Sequence, residues 1–444
     1  MITSKDHKGI KMRINAFVNL FSSWQPQDFP FYVTLASICP SKDSNFFNLR
    51  FQFLLSSFLL LASSCHQKAD IEKQEGSVAV IQVDLSQSRT GKLSEFFEPE
   101  INYIWLEDEL EEAQLNSNLQ QIVFHGDKIY ALDNNGCKCI SMFNKSGKYL
   151  GRIGAYGEGP GEYHDLGSLI VVNEELVLLE GFSGDIMWFS LEGEFLRESN
   201  LKGFSGIGVF SEFDERFYFY NIARNSGEFF VQSLNMKLQD TINYMSYHPE
   251  RLESGMTGRN YFQKSKHHLY FGMTFLDTIY QFQNQQLVPK YVFEYGNYGQ
   301  DLERLNGMEI MERITYMNTQ GKFYFRGRYQ VSEKQLYTIL SYEGDFYNLF
   351  YAQESSKSNL IESVIINDID GGFNVPMLPN GFAPGKLGFT MPGKAFYQAL
   401  MTKKKQMGQV EYESWVKGVG ANLAKTAFAG KVSENPVLIV YTLK

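Results

Sequence analysis

The chain has 444 residues, of which 15% are aromatic and 38 are glycine, and its formal net charge is −9 at pH 7. This length allows two average domains or one large repetitive domain. Because nucleic-acid-binding proteins need a basic surface that neutralises phosphates, the acidic balance excludes that class of function. Tyr and Phe favour strands and Gly marks turns, so the composition predicts an all-β architecture with a large buried core.

An apolar segment near the start of the chain predicts export. The run FQFLLSSFLLLASSC follows Arg50 and ends at Cys65. It is too short to span a bilayer comfortably and has the form of the apolar part of a secretory signal. Small residues before a cysteine resemble the lipobox of bacterial lipoproteins, although Ala62 stands where Leu is common. The resemblance implies that a peptidase cuts before Cys65 and that its sulfur carries diacylglycerol; an ordinary signal segment with an incidental cysteine is the alternative.

The signal divides the chain into four predicted segments. Residues 50–65 are the lipoprotein signal peptide, with Cys65 as the lipidation site. Residues 1–49 precede it, although a signal peptide normally begins a chain, so we interpret them as a doubtful extension from a misassigned start or as a genuine extra segment. Residues 66–76 are polar and predict a flexible tether. The remainder, 77–444, is predicted to form the folded body.

One short pattern recurs along this body: a charged or turn residue, followed by an aromatic-rich strand. The steps between copies are 47, 41, 52, 54 and 64 residues, about the size of a four-stranded propeller blade. Each copy is predicted to be the second strand of a blade, and aromatic residues at alternate positions are predicted to pack one blade on the next rather than to bind sugars. The copies are KIYALD at Lys128, ELVLLE at Glu175, RFYFYN at Arg216, HLYFGM at His268, KFYFRG at Lys322 and KLGFTM at Lys386.

A Gly- and Pro-rich stretch, GRIGAYGEGPGEY (Gly151–Tyr163), lies between the first two repeat units. It is not a P-loop, because Pro160 and Gly161 stand where that motif needs Lys and then Ser or Thr. The dinucleotide-binding fingerprint needs a helix after it, whereas a strand-like segment follows here. We predict a connector that takes the chain from the outer strand of one blade to the inner strand of the next.

The two ends of the body are predicted to share the last sheet, since propellers commonly protect their edges by mixing strands from both termini. The two segments are INYIWLE at Ile101 and NPVLIVYTLK from Asn435. Residues 395–430 interrupt the strand pattern and predict a helical insertion that packs on the last blade, with a partner-binding helix as the alternative. The apolar residues at helical spacing are Tyr412, Trp415, Val416, Val419 and Leu423.

The motifs in this order resemble the six-bladed β-propeller lipoproteins of Bacteroidetes, which are related in shape to NHL-repeat propellers. The order is a lipobox, a polar spacer, LSEFFEPEINYIWLE, a first unit ending in GRIGAYGEGPGEY, and a final ENPVLIVYTLK. The resemblance covers 77–444; GxGPGE and NPVL are its most specific parts, and the middle units match in pattern only. It implies an all-β fold, a six-bladed β-propeller with a small helical insertion in the last blade, and a cell-envelope location. It implies no catalytic residues, because a fold does not determine a function.

Few residues are candidates for catalysis or metal binding. The four cysteines lack the spacing of a disulfide framework or a two-knuckle zinc site, so we interpret the C-x-C of Cys137 and Cys139 as a hairpin edge. NDIDGG from Asn367 lacks the Gly and the bidentate Glu of a calcium loop and predicts a turn. We therefore predict no catalytic, metal or cofactor-binding residue, and no cofactor. A metal-dependent enzyme built from separated histidines is the alternative; the histidines considered are His125, His164, His248, His267 and His268.

These observations predict an envelope-anchored β-propeller that binds an unidentified ligand or envelope protein at one face or in its central pocket. Membrane attachment is predicted through the lipid anchor alone, on the periplasmic side or at the outer-membrane surface, and the predicted role is non-enzymatic. One alternative is a propeller lyase or hydrolase acting on a glycan or peptide. Another is a structural subunit of an envelope complex. Clustered His, Asp and Glu around the channel would favour the enzyme, and a flat apolar patch would favour a protein partner.

Overall fold

A computed structural model describes residues 78–444, apart from 117–118, 160, 182, 202–203, 205–206, 222–228, 247–260, 300–301 and 375–379. The predicted N-terminal extension, the signal peptide with Cys65, and the tether lie outside these described residues. Within the described part of the chain, every helix is too short or too polar to cross a bilayer.

The first described segment supplies strands to three different sheets. It contains β1 (Ala79–Gln82), β2 (Arg89–Lys92), the short helix α1 (Leu93–Phe96) and β3 (Asn102–Trp105). β1 and β2 each pair in parallel with a strand far along the chain, whereas β3 pairs antiparallel with the last strand. Neither β1 nor β2 was predicted, because a parallel partner so distant in sequence leaves no hairpin pattern.

Sheets 1, 2 and 3 each contain four consecutive antiparallel strands. The second strands of these sheets are buried on both faces, which explains aromatic residues at successive positions of one strand. In sheet 3, Phe217 and Phe219 pack into one core, while Tyr218 and Tyr220 pack into the core on the opposite face. The strands are, in sheet 1, β4 (Gln121–His125), β5 (Lys128–Asp133), β6 (Cys139–Asn144) and β7 (Tyr149–Ile153); in sheet 2, β8 (Ser168–Val172), β9 (Glu175–Leu179), β10 (Asp185–Ser190) and β11 (Phe195–Asn200); and in sheet 3, β12 (Ile207–Phe213), β13 (Arg216–Asn221), β14 (Phe229–Asn235) and β15 (Ile242–Ser246).

Sheets 4 and 5 follow the same plan and each gain a fifth strand at the outer edge. β1 adds to sheet 4, where Ala79 lies opposite Tyr291, and β2 adds to sheet 5, where Arg89 lies opposite Ile361. One helix, which the sequence pattern did not predict, connects the two sheets. The elements are, in sheet 4, β16 (Phe262–Lys264), β17 (Leu269–Phe271), β18 (Thr278–Gln283) and β19 (Gln286–Glu294); then α2 (Ile310–Thr319); and, in sheet 5, β20 (Tyr324–Val331), β21 (Gln335–Tyr342), β22 (Asp345–Ala352) and β23 (Lys357–Ile366).

Sheet 6 joins the two ends of the described chain, as predicted. Its last strand pairs antiparallel with β3, with Val437 opposite Trp105. Three helices are inserted before that strand and pack on this sheet, so the predicted helical insertion in the last sheet is confirmed. The elements are β24 (Asn380–Ala383), β25 (Lys386–Pro392), α3 (Gly393–Met407), α4 (Gln409–Lys417), α5 (Ala421–Ala429) and β26 (Pro436–Thr442).

The first strands of successive sheets lie side by side. β4 contacts β8, which contacts β12; β12 contacts β16, which contacts β20; and β20 contacts β24, which in turn contacts β4. A buried apolar cluster lies between each successive pair of sheets, and another lies between sheet 6 and sheet 1, where Leu438 packs with Ile129 and Phe143. Burying one large apolar side chain contributes roughly 1.5–3 kcal/mol, so these clusters hold neighbouring sheets together.

Two details of the predicted element pattern are wrong. KFYFRG at Lys322 was predicted to begin a second strand, whereas β20 is the first strand of its sheet and β21 the second. Both strands are largely buried, so their aromatic patterns do not distinguish them. Val419 was predicted on the buried helical face but is 65% exposed. Gly418 and Gly420 separate α4 from α5 here, since Trp415 packs so closely on Gly420 that a Cβ would overlap its ring.

Candidate functional site

Two pairings within sheet 5 are irregular, that of β2 with β23 and that of its first strand, β20, with β21. β20 pairs regularly with β21 up to Phe325, and the regular pairing resumes at Tyr329. The three residues between them, Arg326–Arg328, therefore face the single residue Ile339. Gly327 at the centre has φ +70°, a left-handed conformation that glycine adopts without steric cost. We call Arg326–Arg328 the arginine bulge; such bulges re-aim side chains and are frequent beside functional sites.

Neighbouring residues fix the bulge in position. The Thr274 hydroxyl, in the loop before β18, donates a hydrogen bond of 2.9 Å to the carbonyl oxygen of Arg326. Arg326 Nη1 donates to the Tyr324 hydroxyl at 3.3 Å, and the guanidinium carbon lies 5.0 Å from the centre of the Phe346 ring. A guanidinium over an aromatic face is stabilised electrostatically. The Arg326 side chain is thus held by aromatic neighbours rather than by an acid.

The bulge carries positive charge in a partly buried place. Within the described part of the chain, no carboxylate forms an ion pair with Arg326, and its buried Nε has no hydrogen-bond partner. Gln330, two residues beyond the bulge and 4% exposed, has a buried Oε1 that also lacks a partner among the described residues. Burial, together with the charge of Arg326, lowers the pKa of the Arg328 guanidinium. The arrangement can therefore attract and hydrogen-bond an anionic group.

Two half-buried amides at the first strand of sheet 1 form hydrogen bonds to the next sheet. Gln121 on β4 accepts a hydrogen bond from the backbone N–H of Leu169 at 2.9 Å and donates to the carbonyl of the same residue at 2.7 Å. Gln120 donates to the carbonyls of Leu166 and Gly167 at 2.6 and 3.0 Å. These side chains join sheet 1 to β8 of sheet 2 as an additional strand would. Their role is structural.

Two buried acids near the second strands of sheets 1 and 2 also have structural partners. Asp133, fully buried at the end of β5, accepts hydrogen bonds of 2.7 Å from the backbone N–H groups of Asn116 and Gly136. Glu180, just after β9, accepts from the backbone N–H of His164 at 2.6 Å and from the Ser183 hydroxyl at 2.7 Å. Both carboxylates anchor loops, and neither forms a catalytic pair with the other.

The Gly- and Pro-rich stretch is a connector from β7 to β8, as predicted. The Glu162 carboxylate accepts a 2.6 Å hydrogen bond from the backbone N–H of Gly159. A protein carboxylate therefore lies where a bound phosphate would need that donor. Tyr163 is fully buried, and its hydroxyl donates to the carbonyl oxygens of Ile153 and Lys138, both at 3.0 Å. The stretch is a packed turn.

The cysteine prediction needs a correction. Cys137 and Cys139, interpreted as an ordinary hairpin edge, form a disulfide across Lys138 at the start of β6. The spacing of the four cysteines predicted no disulfide framework, whereas this bridge joins residues only two apart. The polar turn itself is confirmed, because Asp133 accepts the N–H of Gly136 within it.

The histidines are dispersed over the described structure. His125 lies 3.2 Å from a Glu174 oxygen, and His164 lies 3.8 Å from Glu158. His268 Nδ1 is 3.1 Å from the Gln281 side-chain nitrogen, on a different sheet from the other two. His248 lies outside the described residues. Among the residues that the structure describes, no three His, Cys, Asp or Glu side chains come together as metal ligands would.

NDIDGG forms a turn that supports the helical insertion. The Asp370 carboxylate accepts hydrogen bonds from the Tyr103 hydroxyl and the N–H of Gly372, each at 2.8 Å. Trp415 Nε1 donates to the carbonyl of Asp370 at 2.6 Å. Burial, with a contribution from the Asp370 charge, raises the pKa of Tyr103, which therefore stays protonated and donating. These contacts join β3 to α4.

The chain belongs to a family described as a domain of unknown function (DUF4934), whose model matches residues 78–442. No curated protein matches the chain. Among solved structures, it is similar to a Bacteroides fragilis protein provisionally named as exported, with a TM-score of 0.60 and 15% identity over 83% of this chain and 100% of that chain. At this level of identity the likeness shows a shared fold only.

Two further solved structures are more distant. A member of the DUF4221 family from Bacteroides vulgatus has a TM-score of 0.44 and 10% identity over 78% of this chain and 97% of that chain. Virginiamycin B lyase from Staphylococcus aureus has a TM-score of 0.37 and 10% identity over 65% of this chain and 95% of that chain. Neither carries an argument about chemistry here. The prediction of an all-β, β-propeller-like fold is confirmed by the sheet order and by the contacts between the first strands of successive sheets.

Sequence reasoning missed the arginine bulge. The signal was present as Arg326-Gly327-Arg328 within an aromatic strand, because an isolated glycine in a strand pattern indicates a bulge or a close backbone approach. It was interpreted only as the end of a repeat copy. Two arginines beside that glycine, on a strand otherwise buried, should have marked the segment as a candidate binding site.

Proposed function

We propose that this member of the DUF4934 family is an exported, envelope-anchored binding module that takes its ligand at the arginine bulge. The bulge is the single observation that carries this proposal. It interrupts the first strand of sheet 5 and places positive charge where a regular strand would place packed apolar residues. Arg326 has no ion-pair partner among the described residues, and partly buried charge of that kind destabilises a fold, so a ligand that supplies a counter-charge to Arg326 would offset the cost.

The proposed architecture is a closed six-bladed β-propeller. It is supported by six sheets whose first strands contact one another in succession, with β24 returning to β4. It is also supported by apolar clusters between every successive pair of sheets, including sheet 6 and sheet 1. In such a ring the first strands surround the central axis, so the backbone of the arginine bulge on β20 would lie beside the region where propellers commonly bind ligands, with the Arg326 guanidinium over Phe346 of β22.

The proposed location is the cell envelope, with attachment through a lipid on Cys65. The apolar run before Cys65 and the polar segment after it support this proposal. The test is incorporation of radiolabelled fatty acid in an envelope-producing bacterial host. Wild-type protein should be labelled and Cys65→Ala should not, whereas Cys39→Ala should be labelled normally. Labelling of Cys65→Ala would show that the lipid anchor is wrongly assigned.

The binding role is tested with arrays of glycans and peptides. Gly327→Ala should weaken binding about tenfold or more, because alanine at positive φ costs about 1 kcal/mol or more and reshapes the bulge. Gly126→Ala is the matched control, since Gly126 has φ +57° in the distant β4–β5 turn with open space around it. Equal binding by both variants would place the site elsewhere. Conversion of a bound ligand to product would instead support the propeller lyase or hydrolase.

A further inference from the structure

We infer that the arginine bulge recognises an oxyanion on its ligand, with Arg326 as the residue that contacts it. This inference rests on the proposed binding function and narrows it to a chemical class. The recognised group is a carboxylate, phosphate or sulfate carried by a larger molecule. Three observations support it: the unpartnered nitrogen of the Arg326 guanidinium, the second positive charge at Arg328, and the acidic net charge of the chain.

One edge of the Arg326 guanidinium contains a buried nitrogen that has no hydrogen-bond partner among the described residues. Nη1 already donates to the Tyr324 hydroxyl. Nε has no partner in the described structure, and Nε with Nη2 forms the side of the guanidinium that meets two oxygens of an oxyanion at once. Leaving a buried N–H without an acceptor costs roughly 1–3 kcal/mol. An oxyanion on this edge would remove that cost, whereas a neutral apolar ligand would not.

The second positive charge favours an anion over a neutral acceptor. Arg328 lies two residues from Arg326, and the charge of Arg326 lowers the Arg328 pKa. A ligand oxyanion between them would be attracted by both charges and would reduce their mutual repulsion. The chain as a whole has net charge −9, so the positive charges of Arg326 and Arg328 do not simply reflect a basic protein.

The adjacent residues supply the remaining polar contact. Gln330 presents a buried side-chain amide whose Oε1 lacks a partner among the described residues, next to the bulge along the same strand. An amide oxygen there accepts hydrogen bonds from hydroxyl groups. The combination fits an oxyanion with a neighbouring hydroxyl, as in an acidic sugar, a sulfated sugar or a phosphorylated head group.

The experiment is calorimetric titration of the full-length protein with sulfate, phosphate or glucuronate, with ionic strength held constant by chloride. At least one of these should bind saturably, and Arg326→Met should weaken that binding about tenfold or more. Arg304→Met is the matched control, because Arg304 is exposed on the turn before α2, and it should bind within about twofold of wild type. Tighter binding of glucuronate would identify the ligand's anionic group as a carboxylate. Tighter binding of phosphate or sulfate would identify it as a phosphate or sulfate group.

Arg326→Lys tests whether the guanidinium fork matters as well as its charge. Lysine keeps the charge but not the two parallel donors, so it should recover only part of the lost affinity. Full recovery would overturn the two-bond geometry. Absence of saturable binding, or equal binding by wild type and Arg326→Met, would overturn the oxyanion assignment.

The array and titration experiments distinguish failure of the oxyanion inference from failure of the proposed binding function. If array binding is lost in Gly327→Ala but no oxyanion binds, the bulge binds a ligand of another class. If the arrays show no dependence on the bulge, the proposed function fails whatever the titrations show.

Discussion

Polar side chains at the junction between sheets 1 and 2 differ in their hydrogen bonding from those on the first strand of sheet 5. At the first junction, the side-chain amides of Gln120 and Gln121 bond to backbone groups of the next sheet. On β20, the arginine bulge interrupts the pairing and leaves a guanidinium nitrogen and an amide oxygen without partners in the described structure. Neutral amides that hydrogen-bond to the next sheet stabilise the fold, whereas the buried unpartnered groups at and beside the bulge cost stability. That contrast separates structural polar residues from a candidate binding site.

The largest expected effect is at the amide that joins the two ends of the chain. Asn435 accepts from the N–H of Leu115 and donates to the carbonyl of Ala113, both at 2.7 Å. Asn435→Ala leaves these buried groups without partners and should lower the free energy of unfolding by about 3 kcal/mol. Urea unfolding measures this, with Asn297→Ala, whose side chain is exposed, as the control. If Asn435→Ala lowered the free energy of unfolding no more than Asn297→Ala does, Asn435 would not be a structural amide.

The amide junction itself is tested at Gln121. Gln121→Ala leaves the N–H and carbonyl of Leu169 without their side-chain partner and should cost about 2 kcal/mol. Gln286→Ala, at an exposed position of β19, should change stability by less than about 0.5 kcal/mol. Both are measured by urea unfolding of the full-length protein. If the two variants lost equally little, the contrast with the bulge would be unsupported.

At the arginine bulge, a substitution is expected to raise the free energy of unfolding rather than to lower it. Arg326→Leu first removes a buried donor that has no partner among the described residues, and second loses the hydrogen bond to the Tyr324 hydroxyl and the contact with the Phe346 ring. The first change should outweigh the second, so the free energy of unfolding should rise by about 0.5–1 kcal/mol in ligand-free buffer. Arg304→Leu provides the control for loss of a surface charge. A marked fall in stability for Arg326→Leu alone would make Arg326 a structural residue.

The smallest effect on stability is expected at an exposed ion pair. Its size serves as a reference for the stability changes at the amide junction and at the arginine bulge. Arg197 donates to the Glu175 carboxylate at 2.8 and 2.7 Å, and this lowers the Glu175 pKa from the usual 4.5. Its stabilisation is fully present above the unfolded-state pKa and is lost as pH falls through the lower folded-state value. Glu175→Gln should therefore cost a few tenths of a kcal/mol at pH 7 and less at about pH 3. An equal cost at both pH values would contradict this assignment.

Local patterns in the sequence were sufficient to predict most of the sheets. The strands beginning at Lys128, Glu175 and Arg216 lie where the repeat placed them, because each hairpin pairs neighbours along the chain. The pairing of β3 with β26 also followed, because it closes an edge that would otherwise be exposed. The first and second strands of sheet 5 were confused, since both are buried on two faces.

Features that depend on distant partners could not be predicted. β1 and β2 pair with residues more than two hundred positions away, and nothing in their own sequence specifies a parallel partner. The bulge was visible as a glycine between Arg326 and Arg328, but whether Arg326 has an ion-pair partner among the described residues depends on what surrounds it in space. Buried Asp133 and Asp370 have the same residue type as an active-site acid, and only their hydrogen bonds show that they anchor turns.

The parallel pairing of β1 and β2 has a mechanical consequence. A pull on Val78 along the direction of β1 would load the hydrogen bonds to β19 together in shear, rather than opening them one after another. Beyond β1, the same segment is fastened a second time by β2 on the neighbouring sheet. A pull on the start of β1 would therefore load sheets 4 and 5 one after the other, before the remaining sheets of the body came under load.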